Sequence, residues 1–128
     1  MKNEVITIGL APAWDKTIET PEIDWNQHKT VSYQKIVPAG KALNINKALC
    51  WIGIESTAAG LWGSDDFAQM KKYTGNLKKI KIKFTAVPGR TRENITIVDL
   101  KNKRQMHLRN QNTLADSKSI KILKEDLQ

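Results

Sequence analysis

The amino-acid sequence predicts an α/β fold, in which a small β appendage covers one edge of a doubly wound parallel sheet. Two short apolar runs at 5–10 and 55–62 are typical of strands buried in a parallel sheet. A helical pattern of apolar residues precedes the second run, and this strand–helix–strand order predicts a right-handed βαβ unit. Polar extended pairs at 16–37 and 90–109 do not suit a central sheet, so they predict a separate, half-exposed one.

Composition limits the class of protein. The chain has 128 residues, enough for one domain with a modest core, and 40% of them are hydrophobic. No apolar run is long enough to span a bilayer, and no secretory signal precedes the first strand-like run. Cys50 is the only cysteine, which excludes an internal disulfide and favours a reducing compartment. We therefore expect a cytoplasmic protein with no membrane partner.

The formal net charge of +8 favours anionic partners, such as nucleic acid, phosphorylated metabolites or acidic proteins. Basic residues cluster at 71–72, 78–83 and 101–104, which predicts two solvated faces and a hairpin tip. The sequence lacks zinc-finger spacing, a basic helix with heptads and a glycine–aromatic RNA-binding signature. Nucleic-acid binding therefore ranks last, and we expect no nucleic-acid partner.

The first apolar run, Val5 to Leu10, is short and rich in β-branched residues, which predicts a buried strand. Pro12 ends this strand, and Asp15 follows at the start of the next segment. A carboxylate just past the end of a buried parallel strand is well placed to meet a ligand. An ordinary turn aspartate explains the same residue equally well.

A strand–turn–helix junction follows at residues 30–53. Ala39-Gly40 turns the chain, and Gly53 stands where a helix C-terminal glycine belongs. Lys41 and Asn44 share one side of the first helical turn, where free N–H groups attract polar or anionic small molecules. An ordinary junction without a ligand is the alternative. The predicted buried helix face consists of Ala42, Ile45, Leu49 and Ile52.

The second apolar run, Glu55 to Trp62, predicts another buried strand. Ser64 is a good N-cap for the short helix that follows, and the acid pair Asp65-Asp66 suits a helix N-terminus. A metal site is the alternative role for these acids, but no further acidic or histidine ligands follow at useful spacing. Phe67 and Met70 are expected to face inward, and Gly75 to end this helix.

The last third of the chain reads as a strand, a hairpin and a helix. Alternation over Ile80 to Val87 predicts a half-buried strand with its lysines outward. A turn at 88–89 leads into a hairpin with its tip at 101–103, and Met106 and Leu108 share one face of the return strand. The final helix is expected to begin at Asp116 or Ser117 and to face inward with Ile120, Leu123 and Leu127.

Four motifs, in this order, resemble the PfkB/ribokinase family of carbohydrate kinases, and specifically its phosphofructokinase and tagatose-phosphate kinase branch. They are Ala11-Pro12-Ala13-Trp14-Asp15, Pro38-Ala39-Gly40-Lys41-Ala42-Leu43-Asn44, the segment from Gly53 to Gly63, and Thr91-Arg92-Glu93-Asn94. Together they cover nearly the whole chain. The resemblance implies the N-terminal portion of a ribokinase-like, Rossmann-type sheet with a small β lid, formed by residues of about 16–37 and 90–109.

The resemblance also implies one binding site for a sugar or a sugar phosphate. A carboxylate would hydrogen-bond the sugar hydroxyls. A glycine and an asparagine would line the pocket at the helix N-terminus, and two basic residues would lie near the sugar or its phosphate. The carboxylate is that of Asp15, the pocket residues are Gly40 and Asn44, and the basic residues are Lys41 and Arg92. The asparagine of the last motif, Asn94, is the sixth implied binding residue. In relatives the β lid often forms a dimer interface, which implies a homodimer.

Two departures from the family's pattern matter. Ala39 and Ala42 stand where the family has glycine, and Ala11 stands where it has asparagine. We expect these changes to affect sugar specificity, because a methyl group at position 39 would narrow the pocket or forbid a positive φ.

The second departure is length. The chain contains no Gly-x-Gly-Asp, the family's catalytic motif, so no catalytic or metal-binding residue is expected in it. ATP and Mg²⁺ are expected cofactors of the full-length enzyme only, and this segment alone is expected to be inactive and to self-associate. The alternative is a non-catalytic ligand-binding or dimerisation module that retains the kinase-like fold.

Overall fold

The computed structural model describes residues 3–128, which form two sheets and three helices. The body sheet is parallel, with strand order β1-β4-β5, and the side sheet is mixed, with order β3-β2-β6-β7. The elements in chain order are β1 (Val5–Gly9), β2 (Ala13–Thr20), β3 (Tyr33–Ala39), α1 (Lys41–Trp51), β4 (Ser56–Gly63), α2 (Phe67–Thr74), β5 (Ile80–Val87), β6 (Glu93–Asp99), β7 (Arg104–Leu108) and α3 (Ser117–Asp126).

Strand β4 is the centre of the body sheet and is buried along its whole length. Its consecutive residues Leu61 and Trp62 point to opposite faces and enter separate apolar clusters. Trp62 packs with Leu43 of α1 and Met70 of α2, whereas Leu61 packs with Leu123 of α3. Helices therefore cover both faces of the sheet, and the predicted α/β fold is confirmed.

Strand β1 is more exposed than the sequence predicts. Ile6 and Ile8 are 54% and 55% exposed. They are paired with Thr57 and Ala59 of β4, so they lie on the face of the sheet that α3 covers. Because α3 lies against β4 and β5, it leaves these side chains of the edge strand uncovered within residues 3–128. The prediction that this strand is buried is therefore wrong.

The predicted buried face of α1 is wrong at two of its four positions, whereas Ala42 and Leu49 are half-buried. Ile45 and Ile52 are exposed, and the side chains that point into the core are Leu43 and Asn46. Asn46 accepts a hydrogen bond from Thr7 at 2.5 Å and donates one to the Ser56 hydroxyl at 2.8 Å. These two bonds link α1 to β1 and β4 and satisfy the buried amide of Asn46. A pattern of apolar residues could not identify this buried position, because the residue there is polar.

The end of α1 is as predicted. Gly53 has a φ of +81°, and its N–H donates to the Cys50 carbonyl. The N–H of Ile54 donates to the Leu49 carbonyl, which completes a Schellman motif.

The start of α2 differs from the prediction. No side chain caps it: Ser64 is exposed and belongs to a short 3₁₀ turn, Ser64–Asp66. Asp66 is only 3% exposed and accepts hydrogen bonds from distant segments instead. Met70 is buried and Phe67 half-buried, and Gly75 ends the helix, as predicted.

The polar extended pairs form the side sheet. Strand β2 is paired antiparallel with β3 and parallel with β6, and β7 completes the predicted hairpin. At the C-terminal end, the Asp116 side chain caps α3 and Leu123 is buried, as predicted. Ile120 is half-buried, whereas Leu127 is exposed, contrary to prediction, because it lies beyond the last helical residue.

Candidate functional site

The candidate site lies where the side sheet meets the start of α1. Asp15 is the third residue of β2 and is directly paired with Asn94 of β6 and Val37 of β3. Directly paired residues on neighbouring strands present their side chains on the same face of a sheet. The carboxylate of Asp15 and the amide of Asn94 are therefore neighbours on one face of the side sheet.

Gly40 precedes α1 with a φ of +114°, which side-chain-bearing residues rarely adopt. A Cβ at this position would lie 3.1 Å from Cα of Pro12 and 3.3 Å from the carbonyl oxygen of Ala11. The loop between β1 and β2 therefore packs directly on the start of α1, and only glycine allows this approach.

The two alanines that depart from the family's pattern do not disturb this backbone. Ala39 is the last residue of β3, is paired with Ala13 and has no positive φ. Ala42 lies against Gly9 of β1: a Cβ added to Gly9 would come within 3.0 Å of the Ala42 methyl group. The expectation that a methyl at position 39 would forbid a required positive φ is wrong, because Gly40 carries that φ.

Arg92 joins two separate segments of the backbone through its side chain. Its guanidinium donates to the carbonyl oxygens of Pro12 and Ala11, both at 3.2 Å, and to that of Asn110 at 3.0 Å. These bonds join the loop before β2 to the segment after β7. Because a guanidinium has five N–H groups, Arg92 keeps donors for a ligand while it braces the loop.

Asn94 is linked to the same segment. Its side-chain oxygen accepts the Asn110 N–H at 3.1 Å, and the Asn110 side chain donates to the Glu93 carbonyl at 2.6 Å. Asn112 in turn donates to the Leu10 carbonyl at 2.9 Å, at the end of β1. Asn110 and Asn112 were not among the predicted site residues, and two asparagines close together in the sequence are the signal for them.

Lys41 and Asn44 are exposed on the first turn of α1. Within residues 3–128, neither side chain makes a hydrogen bond or ion pair with Asp15, Asn94 or Arg92. No side chain caps α1, and no acidic residue lies in its first turn. The start of the helix thus keeps backbone N–H groups and a partial positive charge available to an anion.

Lys47, which was not among the predicted site residues, lies within electrostatic range of Asp15. Its ammonium group donates to the Pro38 carbonyl at 2.6 Å. Burial lowers the pKa of Lys47, the Asp15 carboxylate opposes that shift, and the charge of Lys35 adds to it. The signal for this residue was its spacing of one helical turn from Leu43, on the buried side of α1.

Two wide clefts lie outside this site. One of about 780 Å³ opens at the N-terminal ends of the body strands, between residues 53–57 and 79–81. The other, of about 580 Å³, lies along β3, beside Lys16 and Tyr73. Neither cleft is lined by any of the six residues predicted to form the sugar site.

Two further properties bear on function. In the described part of the chain, no three His, Cys, Asp or Glu residues come together as a possible metal site. Among the helices of that same part, none combines the length and apolarity that a membrane span requires.

The comparisons with known proteins agree with the fold and with the family that the motifs resemble. The model of the pfkB family of carbohydrate kinases matches residues 2–128. The 1-phosphofructokinase of Escherichia coli K12 is 34% identical over 102 residues, which cover 77% of this chain and 31% of that enzyme. The 1-phosphofructokinase of Haemophilus influenzae is 34% identical over 98 residues, which cover 74% and 30%.

Solved structures share nearly the whole architecture of this chain. Phosphofructokinase-2 from Escherichia coli in complex with fructose-6-phosphate matches with a TM-score of 0.86 and 17% identity, over 98% of this chain and 41% of that one. The tetrameric inhibited form of that enzyme matches with a TM-score of 0.85 and 17% identity, over 98% and 41%. A possible 1-phosphofructokinase from Thermotoga maritima matches with a TM-score of 0.83 and 28% identity, over 96% and 40%.

The chain spans 31% of the length of the Escherichia coli 1-phosphofructokinase that it matches. It has the ribokinase-like fold of the solved kinases, over about 40% of their chains. By fold, by the order of its motifs and by the family match over residues 2–128, the chain belongs to the PfkB family of carbohydrate kinases.

Proposed function

We propose that this chain provides the acceptor-binding part of an ATP-dependent kinase that phosphorylates a sugar or a sugar phosphate. The observation that carries the proposal is the pairing of Asp15 with Asn94 beside the uncapped start of α1. A carboxylate and an amide bind hydroxyl groups, and an open helix start with Lys41 nearby binds anionic ones. The net charge of +8 also favours an anionic acceptor, such as a fructose phosphate.

In this proposal each predicted residue has a distinct role. The Asp15 carboxylate accepts hydrogen bonds from sugar hydroxyls, and Asn94 binds a neighbouring hydroxyl. Lys41 and Asn44 meet the acceptor at the start of α1. Arg92 braces the loop before β2 and offers its remaining N–H groups to the sugar or its phosphate.

The nucleotide and the catalytic base lie outside this segment in the same proposal. Mg²⁺ is placed with the nucleotide in this proposal, because that ion usually binds through one or two carboxylates together with the phosphates of the nucleotide. No Gly-x-Gly-Asp is present, so we propose that the segment alone does not transfer phosphate. The whole enzyme would use ATP and Mg²⁺, and a sugar hydroxyl would attack the γ-phosphate.

Titration calorimetry tests acceptor binding directly. The chain is titrated in turn with fructose 6-phosphate, fructose 1-phosphate, tagatose 6-phosphate and ATP. We expect one of the sugar phosphates to bind and ATP not to bind. Asp15→Ala should weaken that binding at least about tenfold, the loss expected for one hydrogen bond to a charged group. Glu19→Gln, on the same face of β2, is the control and should change it less than about twofold.

Three outcomes contradict this proposal: no sugar phosphate binds to the unmodified chain, Asp15→Ala leaves the affinity unchanged, or Glu19→Gln weakens it as much. A chain that binds ATP but no sugar phosphate contradicts the assignment of the acceptor to this half.

We further propose that the side sheet acts as a lid and pairs with a second copy of the chain. One of its faces carries an apolar patch of five residues. The strand pairings align Ile18 with Ile97 and Met106, and Ile95 with Leu108. Met106 and Leu108 are 40% and 47% exposed, although apolar side chains on a sheet face normally pack against another layer. Burying this patch against its equivalent in a second copy would make a two-fold dimer.

Sedimentation velocity measures this association. Met106→Glu would place a charge in the interface and should shift the chain toward the monomer. Gln105→Glu adds the same charge on the opposite face of β7 and should leave the association unchanged. A monomeric unmodified chain, or an equal effect of both variants, would disprove the lid interface.

The alternative function is a non-catalytic module that binds a ligand or dimerises. The exposed apolar patch of the side sheet favours dimerisation. Stable dimers without sugar-phosphate binding would support that alternative. For either function we propose a cytoplasmic setting, which suits the single, half-buried thiol of Cys50.

A further inference from the structure

Asp66, at the start of α2, collects hydrogen bonds from three separate segments of the chain. Its Oδ2 atom accepts the indole N–H of Trp14 at 2.6 Å and that of Trp62 at 2.9 Å. Its Oδ1 atom accepts the backbone N–H of Thr91 at 2.8 Å. Asp66 and both tryptophans are almost fully buried, so these donors replace the water that a carboxylate otherwise needs.

The donors lie where the chain passes between the two sheets. Trp14 belongs to β2, at the first crossing from the body sheet to the side sheet. Thr91 lies between β5 and β6, where the chain passes from the body to the side sheet for the second time. Its hydroxyl accepts the Gly63 N–H at 2.9 Å. Trp62 and Asp66 both belong to the body, four residues apart. One carboxylate therefore fixes two of the crossings to the end of β4.

Each crossing also carries a residue of the candidate site. Asp15 follows Trp14, and Arg92 follows Thr91. The backbone N–H of Trp14 donates to the Arg92 carbonyl at 2.8 Å, so the two crossings are joined to each other as well as to Asp66. A shift of the Trp14 indole or the Thr91 amide would move Asp15 and Arg92 relative to the start of α1.

We propose that Asp66 is a positioning residue, which holds the side sheet against the body so that Asp15 and Arg92 stand correctly for the acceptor. This inference rests on the proposed function, because it assigns Asp66 to the same sugar-phosphate site. Asp66 does not touch the acceptor and acts through Trp14 and Thr91.

Two matched variants separate positioning from plain stability. Trp14→Phe and Trp62→Phe each remove one buried indole and one hydrogen bond to the same carboxylate oxygen. Of these two bonds, only the one from Trp14 joins the side sheet to the body. A purely structural role predicts similar effects of the two variants on sugar-phosphate binding. The positioning role predicts a loss of about tenfold for Trp14→Phe, the value of one hydrogen bond to a charged group, and less than about twofold for Trp62→Phe.

Asp66→Asn completes the test. It replaces one carboxylate oxygen by an NH₂ group that accepts no hydrogen bond, so either the two indole N–H groups or the Thr91 N–H lose their acceptor, and fructose phosphates should bind about tenfold more weakly. The double variant Asp66→Asn/Trp14→Phe should lose less affinity than the sum of the two single losses, because Asp66 and Trp14 hold the same junction between the sheets. Asp65→Asn, at the exposed neighbour, is the control and should have no effect. Additive losses in the double variant would overturn the proposal.

Amide hydrogen exchange without ligand keeps this inference separate from the proposed function. Trp14→Phe and Asp66→Asn should speed exchange at the first residues of β2 by about tenfold, whereas Trp62→Phe should not. If the unmodified chain binds no sugar phosphate, the proposed function fails, and the exchange rates still decide whether Asp66 holds the side sheet. Equal exchange in all variants would refute the positioning role.

Discussion

Replacing Gly40 by alanine should destabilise the protein and weaken acceptor binding together. The φ of +114° and ψ of 156° at Gly40 lie in a region nearly restricted to glycine, which costs other residues about 1–3 kcal/mol. The new Cβ would also lie 3.1 Å from Cα of Pro12, inside the optimal carbon–carbon separation of about 3.5–4.0 Å. We expect the two effects together to lower the free energy of unfolding by about 3 kcal/mol.

Gly53→Ala is the matched control for strain alone. Gly53 also has a positive φ, of +81°, but the nearest atom to an added Cβ is the flexible Lys79 ammonium at 3.9 Å. We expect a loss of about 1 kcal/mol, from the left-handed backbone. Urea denaturation measures both values, since a loss of about 3 kcal/mol moves the midpoint by at least about 1 M at constant slope.

Binding gives the second readout for the same pair. Gly40→Ala would push the loop before β2 away from α1 and displace Asp15, so sugar-phosphate affinity should fall. Gly53→Ala lies at the far end of α1 and should preserve it. If Gly40→Ala is no more destabilising than Gly53→Ala, the contact between the added Cβ and Pro12 costs no free energy, which contradicts this prediction.

Three further predictions concern stability. Hydrogen bonds, first of all from the side chain of Asn102, hold the pKa of Asp99 well below its usual range. The ionised carboxylate of Asp99 therefore stabilises the fold above about pH 4, and this stabilisation is lost as the pH falls. Asp99→Asn should make the urea midpoint depend less on pH in the acid range. Asn46→Ala should cost about 2–4 kcal/mol of unfolding free energy, because it leaves two hydroxyl groups without their partner, whereas the exposed Asn44→Ala should cost under about 0.5; equal values would contradict this. Asp116→Ala should lower the thermal midpoint by about 4 °C through loss of the α3 cap, and Asp116→Ser should not.

Local patterns predicted the elements that depend on local physics. The buried strand β4, the alternating strand β5, the hairpin and the Asp116 cap all follow from periodicity or turn chemistry. Gly53 ends α1 because a left-handed residue satisfies the last carbonyl groups, which depends only on neighbouring residues.

Long-range contacts explain what local patterns missed. Asn46 is buried because its partners include Thr7, 39 residues away, and no apolar count detects that. The sequence assigned Asp66 to an acid pair at a helix N-terminus, but its carboxylate accepts hydrogen bonds from donors 52 and 25 residues away. Among the predicted site residues, Asp15 and Asn94 became neighbours only through the register of β2 with β6. Their roles in binding a sugar stay predictions.

The parallel pairing of β2 with β6 also has a consequence for biosynthesis. Trp14 is paired with Glu93, so the ribosome must add about 80 residues, during about 4–16 s, before β6 can reach its place. Until then the β2 edge of the nascent pair of β2 and β3, which β6 later covers, stays unpaired and invites pairing with other chains. Slow translation between these strands should therefore raise the requirement for chaperones on the emerging polypeptide.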